Sequence, residues 1–325
     1  VTGASTADVA IILVDASQGI LTQTRRHSFI ASLLGIRHVV LAVNKMDLVD
    51  YSDQVFAEIC TAYEPLQEQL KFKSVTPIPL SALKGDNVIQ RSRNITWYQG
   101  PTLLGFLETV DVRQSLQDHP FRFPVQWVNR PTSDFRGFSG TVIAGEIQRG
   151  DEITALPSGQ TAKIEDIVLF EDKFEKALTD QAVTLTLDRE IDLSRGDLIS
   201  SAESPCEVAD QFEVELVWMD TNEGFIGRNY AFQSSANEAN ATLSEMKYIY
   251  DVNSFERSAG KSLSLNEIAR VQIRLDKKIP YESYQTCPSL GSFILVDRYS
   301  NAAVAAGMIS YGLRRASNLH LQSLS

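Results

Sequence analysis

An amide, an amine and a carboxylate, Asn44, Lys45 and Asp47, follow directly on an apolar run in LAVNKMDLVD (41–50). An ionised carboxylate can accept two adjacent N–H donors at once through charge-assisted hydrogen bonds. Guanine presents such a pair, its ring N1–H and its exocyclic amine, and adenine does not. The spacing therefore puts Asp47 against guanine, lays the Lys45 stem along the base, and leaves the Asn44 amide to tie the loop and reach the base edge. A second segment, SALKGD (81–86), follows the next apolar run. Ser81, Ala82 and Leu83 complete the candidate base site, with the Ala82 backbone N–H expected to be free for the guanine carbonyl oxygen. An isolated N-K-x-D would favour a polar turn, with Asn44 capping the strand exit, Lys45 solvated and Asp47 opening a helix. Two loops of matched chemistry after consecutive strands favour the nucleotide.

These loops meet only if parallel strands carry them to one edge of a sheet, where ligands bind in open α/β folds. DVAIILVDA (8–16) is apolar without alternation, the pattern of a strand covered on both faces. A helix is expected from about Thr22, with Phe29, Ile30, Leu33 and Leu34 on one face and Gly35 as its C-cap. HVVLAV (38–43) is the next buried strand. A second helix over 52–70 turns Val55, Phe56, Ile59, Ala62, Tyr63 and Leu66 inward, with Pro65 expected to kink or divide it. VTPIPL (75–80) is a third strand. A last helix spans 100–112, with Pro101 in its first turn and Leu103, Leu104 and Leu107 inward.

From Phe121 the pattern changes to short alternating runs broken by Gly, Asp and Asn, such as FPVQWV and AVTLTL, with turns at Arg149-Gly150-Asp151 and Pro157-Ser158-Gly159. A second such set follows a break near 202–209. The expected fold is the carboxyl-terminal part of an α/β P-loop GTPase domain (parallel sheet with flanking helices), followed by two antiparallel β-barrel domains. The expected boundaries are 1–115, 120–203 and 207–312, with a polar tail at 313–325.

With 325 residues, 43% hydrophobic and 22% charged, the chain can bury several cores, and general disorder is excluded. Cys60, Cys206 and Cys287 have no paired spacing, which points to reduced thiols in a cytoplasmic protein without a zinc site. Neither a membrane span nor a basic-apolar leader is evident. A net charge of −11 makes nucleic acid an unlikely partner. Residues 1–16 have the apolar density of a domain interior, so Val1 is expected to be a cut edge.

A nucleotide site also needs a phosphate cradle, G-x-x-x-x-G-K-[ST]. Gly260-Lys261-Ser262 has Phe255 at the first position and lies among β runs, so it reads as a hairpin turn with a solvated lysine. The D-x-x-G of Asp134 to Gly137 is likewise in the wrong domain. His27, the Arg25-Arg26-His27 run and the three tryptophans read as helix surface, core or interface residues. No catalytic residue and no metal ligand is therefore expected within the chain. The simplest account puts the cradle upstream of Val1; the alternative is a degenerate domain that binds no nucleotide.

Residues 1–50 resemble the second half of the GTP-binding domain of the elongation factor Tu and elongation factor 1-alpha family. The β regions resemble that family's second and third barrels. Within it, the segments 95–110, 122–159, 190–200, 214–219 and 291–309 are similar to the large GTP-binding subunits of bacterial sulfate adenylyltransferases. The Phe-Arg-Gly (135–137) and Asp-Arg-x-Ser-Asn (297–301) segments distinguish that group. The resemblance implies a P-loop, switch I and Asp-x-Pro-Gly-His before Val1, with Mg2+ held only through those residues. It also implies a subunit whose GTP hydrolysis drives ATP and sulfate to adenosine 5′-phosphosulfate and pyrophosphate on a small adenylyl-transferring partner, in a heterodimer. The rival is an elongation-type GTPase carrying aminoacyl-tRNA, against which stands the absence of an evident Arg/Lys cluster in 205–325.

Overall fold

The computed structural model describes residues 7–110, 116–130, 136–169, 172–235, 237–251 and 256–313. Residues 1–6, Asp134, Phe135 and almost all of the expected 313–325 tail lie outside them. Two compact units are present, Val1–Gln114 with Asp251–Glu256, and Ser115–Tyr250 with Arg257–Ser325.

In the first unit three parallel strands, β1 (Val9–Asp15), β2 (His38–Asn44) and β3 (Ser74–Pro79), form a sheet in the order β1-β2-β3. Helix α1 (Thr22–Leu33) links the first pair and α2 (Asp53–Leu70) the second. The central strand β2 is buried along its whole middle, as its apolar run requires. The expectation of cover on both faces fails for β1, whose residues alternate, with Ile11 41% and Leu13 63% exposed. Ile11 and Leu13 stand in register with Val40 and Ala42. On that face Val9, Tyr98, Leu103 and Phe106 pack against Val40, Ala42, Ile78 and Leu80, and no described residue covers Ile11 and Leu13 in the same way.

The helices bury the expected faces in part: Phe29 and Leu34 are buried at α1 and Ile59, Tyr63 and Leu66 on α2, while Ile30, Leu33, Val55 and Phe56 are only half-buried. On α1 the buried residues are Thr24, Ser28, Phe29 and Ala31, because the Ser28 hydroxyl meets the Tyr63 hydroxyl of α2 at 2.8 Å and draws the polar side inward. Helix α2 runs through Pro65 undivided and buries Ile59, Tyr63, Leu66 and Leu70, with Ala62 exposed. Pro65 faces solvent, where water can satisfy the backbone carbonyl that loses its helical partner. The last helix, α3, is only Leu103–Thr109, capped by the Thr102 hydroxyl. It turns Leu103 and Phe106 inward and leaves Leu104 and Leu107 exposed.

The second unit holds two barrels. The first comprises β4 (Arg122–Asn129), β5 (Gly137–Thr141), β6 (Glu152–Leu156), β7 (Gln160–Leu169), β8 (Ala182–Leu187) and β9 (Leu198–Ser201). Antiparallel pairing in the order β8-β5-β4-β9-β6-β7 closes through β7–β8, so these six strands leave no open edge. The second comprises β10 (Glu207–Trp218), β11 (Asn229–Ser234), β12 (Glu238–Tyr250), β13 (Ile268–Tyr281), β14 (Ser292–Val296) and β15 (Ala303–Gly312). Its order β11-β14-β15-β10-β13-β12 closes through β11–β12. Each barrel is filled by its own inward apolar residues, including Phe123, Phe138, Ile167 and Leu185 in the first and Phe212, Trp218, Phe232 and Ile273 in the second. Trp218 is thus a core residue, whereas Trp127 is 59% exposed. Lys261 is exposed beside the short strand Ser262–Leu263, which pairs with Gly224–Phe225 and not with a sequence neighbour, so the expected hairpin turn is not formed. No helix among the described residues is long and apolar enough to cross a membrane.

Candidate guanine-binding loops

Asn44 ends β2 in register with Asp15, the last residue of β1. Because the strands are parallel, both side chains leave the sheet at its carboxyl edge, and β3 delivers Ser81 to the same edge. Backbone pairing continues past the strand ends, with the Leu80 N–H on the Val43 carbonyl at 2.9 Å and the Met46 N–H on the Leu80 carbonyl at 3.2 Å. Lys45 adopts a left-handed backbone (φ 63°), which turns the chain into a short 3-10 helix, Met46–Val49, anchored by the fully buried Met46.

The Asn44 side chain joins the two loops. Its Oδ1 accepts the Lys45 N–H at 2.8 Å and the Ala82 N–H at 2.9 Å. The Ala82 N–H is therefore not free, contrary to the expectation from the sequence. An exposed turn N–H takes the nearest fixed acceptor, and Asn44 at the end of a buried strand supplies it. A base carbonyl arriving there would share or displace that bond.

Lys45 is held sideways. Its Nζ lies 2.7 Å from Asp15 Oδ2, while Asp15 Oδ1 accepts the Ser17 N–H at 2.9 Å and the Ser17 hydroxyl at 2.7 Å. The Lys45 bond first, and then those of Ser17, lower the Asp15 carboxyl to about 2. Asp47 is half-buried, and among the described residues no hydrogen bond ends on its carboxylate. An acceptor pair left open at the edge of a parallel sheet suits two adjacent N–H donors.

Ser81 is fully buried. Its carbonyl accepts the Gly85 N–H at 2.8 Å and its hydroxyl the Lys84 N–H at 3.3 Å, which rounds the turn. Leu83 is 86% exposed, with its side chain in solvent. The six sequence-predicted residues thus sit on two adjoining loops. Missed were Asp15, legible only through strand register, Tyr51, whose hydroxyl reaches Asp86 at the end of the second segment, and Trp97, which holds the Tyr51 carbonyl. Among the described residues no cluster of three or more His, Cys, Asp or Glu could hold a metal ion.

Residues 1–121 match the family described as the elongation factor Tu GTP binding domain, and residues 211–310 match the GTP-eEF1A C-terminal domain-like family. The chain is 48% identical over 323 residues to the bifunctional enzyme NodQ of Rhizobium sp. (strain N33), covering 99% of this chain and 50% of that protein. It is 48% identical over 308 residues to sulfate adenylyltransferase subunit 1 of Saccharophagus degradans, covering 95% of this chain and 65% of that protein. The chain therefore spans half to about two thirds of the length of these relatives. The crystal structure of sup35 complexed with GMPPNP superposes with a TM-score of 0.58 at 21% identity, over 96% of this chain and 80% of that one, a likeness of fold.

Proposed function

The chain belongs to the superfamily of elongation factor Tu-type GTP-binding proteins, and from that premise we propose that it is the GTP-binding, energy-coupling part of a sulfate adenylyltransferase. The observation that carries this reading is the 48% identity, over 308 residues, to sulfate adenylyltransferase subunit 1. The donor and acceptor set at the sheet edge fits a guanine base: Asp47 takes the two N–H donors, the Lys45 stem covers the ring, and Asn44 with Ser81, Ala82 and the Leu83 backbone closes the base edge.

On this reading GTP hydrolysis drives the formation of adenosine 5′-phosphosulfate and pyrophosphate from ATP and sulfate on a small adenylyl-transferring partner subunit. Coupling of this kind needs two arrangements of one interface with different affinity for the GTP- and GDP-bound forms. The residues described here take the base-binding role only. By the family resemblance, phosphate, Mg2+ and hydrolysis belong to the P-loop and switch segments.

The test is pyrophosphate release from ATP and sulfate by the full-length gene product with its small subunit, with and without GTP. GTP-stimulated release is expected. Release that ignores GTP, together with retention of aminoacyl-tRNA on a filter, would replace this reading with an elongation-type carrier.

A further inference from the structure

Asp47 lies between two ties that cross to the same turn. Three residues before it, Asn44 Oδ1 accepts the Ala82 N–H at 2.9 Å. Four residues after it, the Tyr51 hydroxyl donates to Asp86 Oδ2 at 3.0 Å. Ala82 and Asp86 belong to one turn, closed by the Ser81 N–H on the Asp86 carbonyl at 3.2 Å. A loop tied at one end can hinge, whereas a loop tied on both sides of a residue fixes that residue's direction as well as its position.

The second tie is built against a conformational cost. Asp50 and Tyr51 both adopt the left-handed backbone (φ 52° and 54°), which costs a non-glycine residue roughly 1 kcal/mol or more and persists only where surroundings over-determine it. Tyr51 is held at three points. Its N–H donates to the Met46 carbonyl at 2.9 Å, its carbonyl accepts the Trp97 Nε1–H at 2.9 Å, and its hydroxyl reaches Asp86. Trp97 is braced in turn by the Phe56 ring, 5.4 Å away between centroids. The remaining Asp86 oxygen accepts the Ser92 hydroxyl at 2.6 Å, so the acceptor is itself fixed. Tyr51, Trp97, Phe56 and Ser92 lie outside both base-reading segments, and Asp86 closes the second one.

We propose that Tyr51, held by Trp97 and bonded to Asp86, is a positioning residue for guanine specificity, aligning the Asp47 carboxylate from the side that Asn44 does not reach. The inference rests on the guanine reading above. A carboxylate must meet both N–H donors at once, and such sites need alignment within about 10–20°.

Inosine lacks the exocyclic amine, so the ratio of GDP to IDP affinity reports the second Asp47 bond alone. We expect Tyr51→Phe in the full-length protein to lower that ratio about tenfold, the scale of one hydrogen bond to a charged acceptor. Asp86→Ala should lower it equally, and the double variant no further, because both changes remove one bond. A residue serving only to stabilise the fold would shift the melting temperature and leave the ratio alone. A ratio that holds in both single variants, while Asp47→Asn collapses it, overturns the proposal and leaves the guanine reading intact. A wild-type protein that fails to prefer GDP over ADP overturns both.

Discussion

Buried Arg122 of the first barrel and half-buried Glu282 of the second form an ion pair between the two. Arg122 Nε and Nη2 lie 2.7 and 2.6 Å from Glu282 Oε1, and Arg122 is only 3% exposed. Arg122 Nη1 also donates to the Phe121 carbonyl at 2.9 Å, and the Cys206 thiol approaches Glu282 Oε1 at 3.5 Å. Leu156 and Leu198 from one barrel and Cys206, Cys287 and Leu290 from the other make the adjoining apolar contact.

Removing one partner strands the other charge. Arg122→Met and Glu282→Met are each expected to cost about 3–5 kcal/mol, while the double variant costs less than either, because apolar side chains need no compensating charge. Urea unfolding of the four proteins gives the comparison. Additive losses would show that the two residues act separately.

Asn44→Ala removes the acceptor shared by Lys45 and Ala82. The expected loss of stability is about 1 kcal/mol, since water can replace the bond at this exposed edge. Hydrogen exchange should be faster at the Ala82 and Lys45 amides and unchanged along β2. Equal protection of Ala82 in both proteins would mean that the loops are joined by other contacts.

Asp47→Asn turns two acceptors into one acceptor and one donor. Guanine nucleotide binding by the full-length protein should fall on the order of 100-fold, as two charge-assisted bonds are lost. Xanthine, whose ring presents the complementary pair, should bind the variant better than the wild type. Competition between GDP and XDP measures the exchange, and an unaltered preference rejects Asp47 as the discriminating residue.

Asp15 gives a dependence on acidity. Lys45 and Ser17 hold its carboxyl at about 2, below its ordinary 3.8, so its contribution to stability is present above about pH 4 and lost as the pH falls towards 2. Asp15→Asn should therefore be less stable than wild type at pH 7 and match it near pH 2. The difference should stay below about 1 kcal/mol, because Lys45 is largely exposed. A gap that persists unchanged to pH 2 would assign the effect to packing.

Much of this architecture is legible along the chain. The unbroken apolar run of β2 declares a central parallel strand, and alternation with Gly and Asp turns declares two β domains. The Asn44, Lys45, Asp47 and Ser81–Ala82–Leu83 loops are also readable, because strand ends and residue types together specify where their polar groups emerge. The face of α1 is readable only in part: Phe29 and Leu34 are buried as their spacing suggests, but Ser28 turns inward only when Tyr63 of another helix stands opposite.

The sequence by itself therefore determined what is local: periodicity, turn chemistry and the donor and acceptor types on each loop. Tertiary structure alone decided what is pairwise. It set Asp15 against Lys45, closed the Ala82 N–H onto Asn44, brought Tyr51 to Asp86 and joined Arg122 to Glu282 across 160 residues. The reason is physical. A hydrogen bond or ion pair depends on a separation of about 3 Å, and that distance follows from strand register and packing, which periodicity along one chain does not contain.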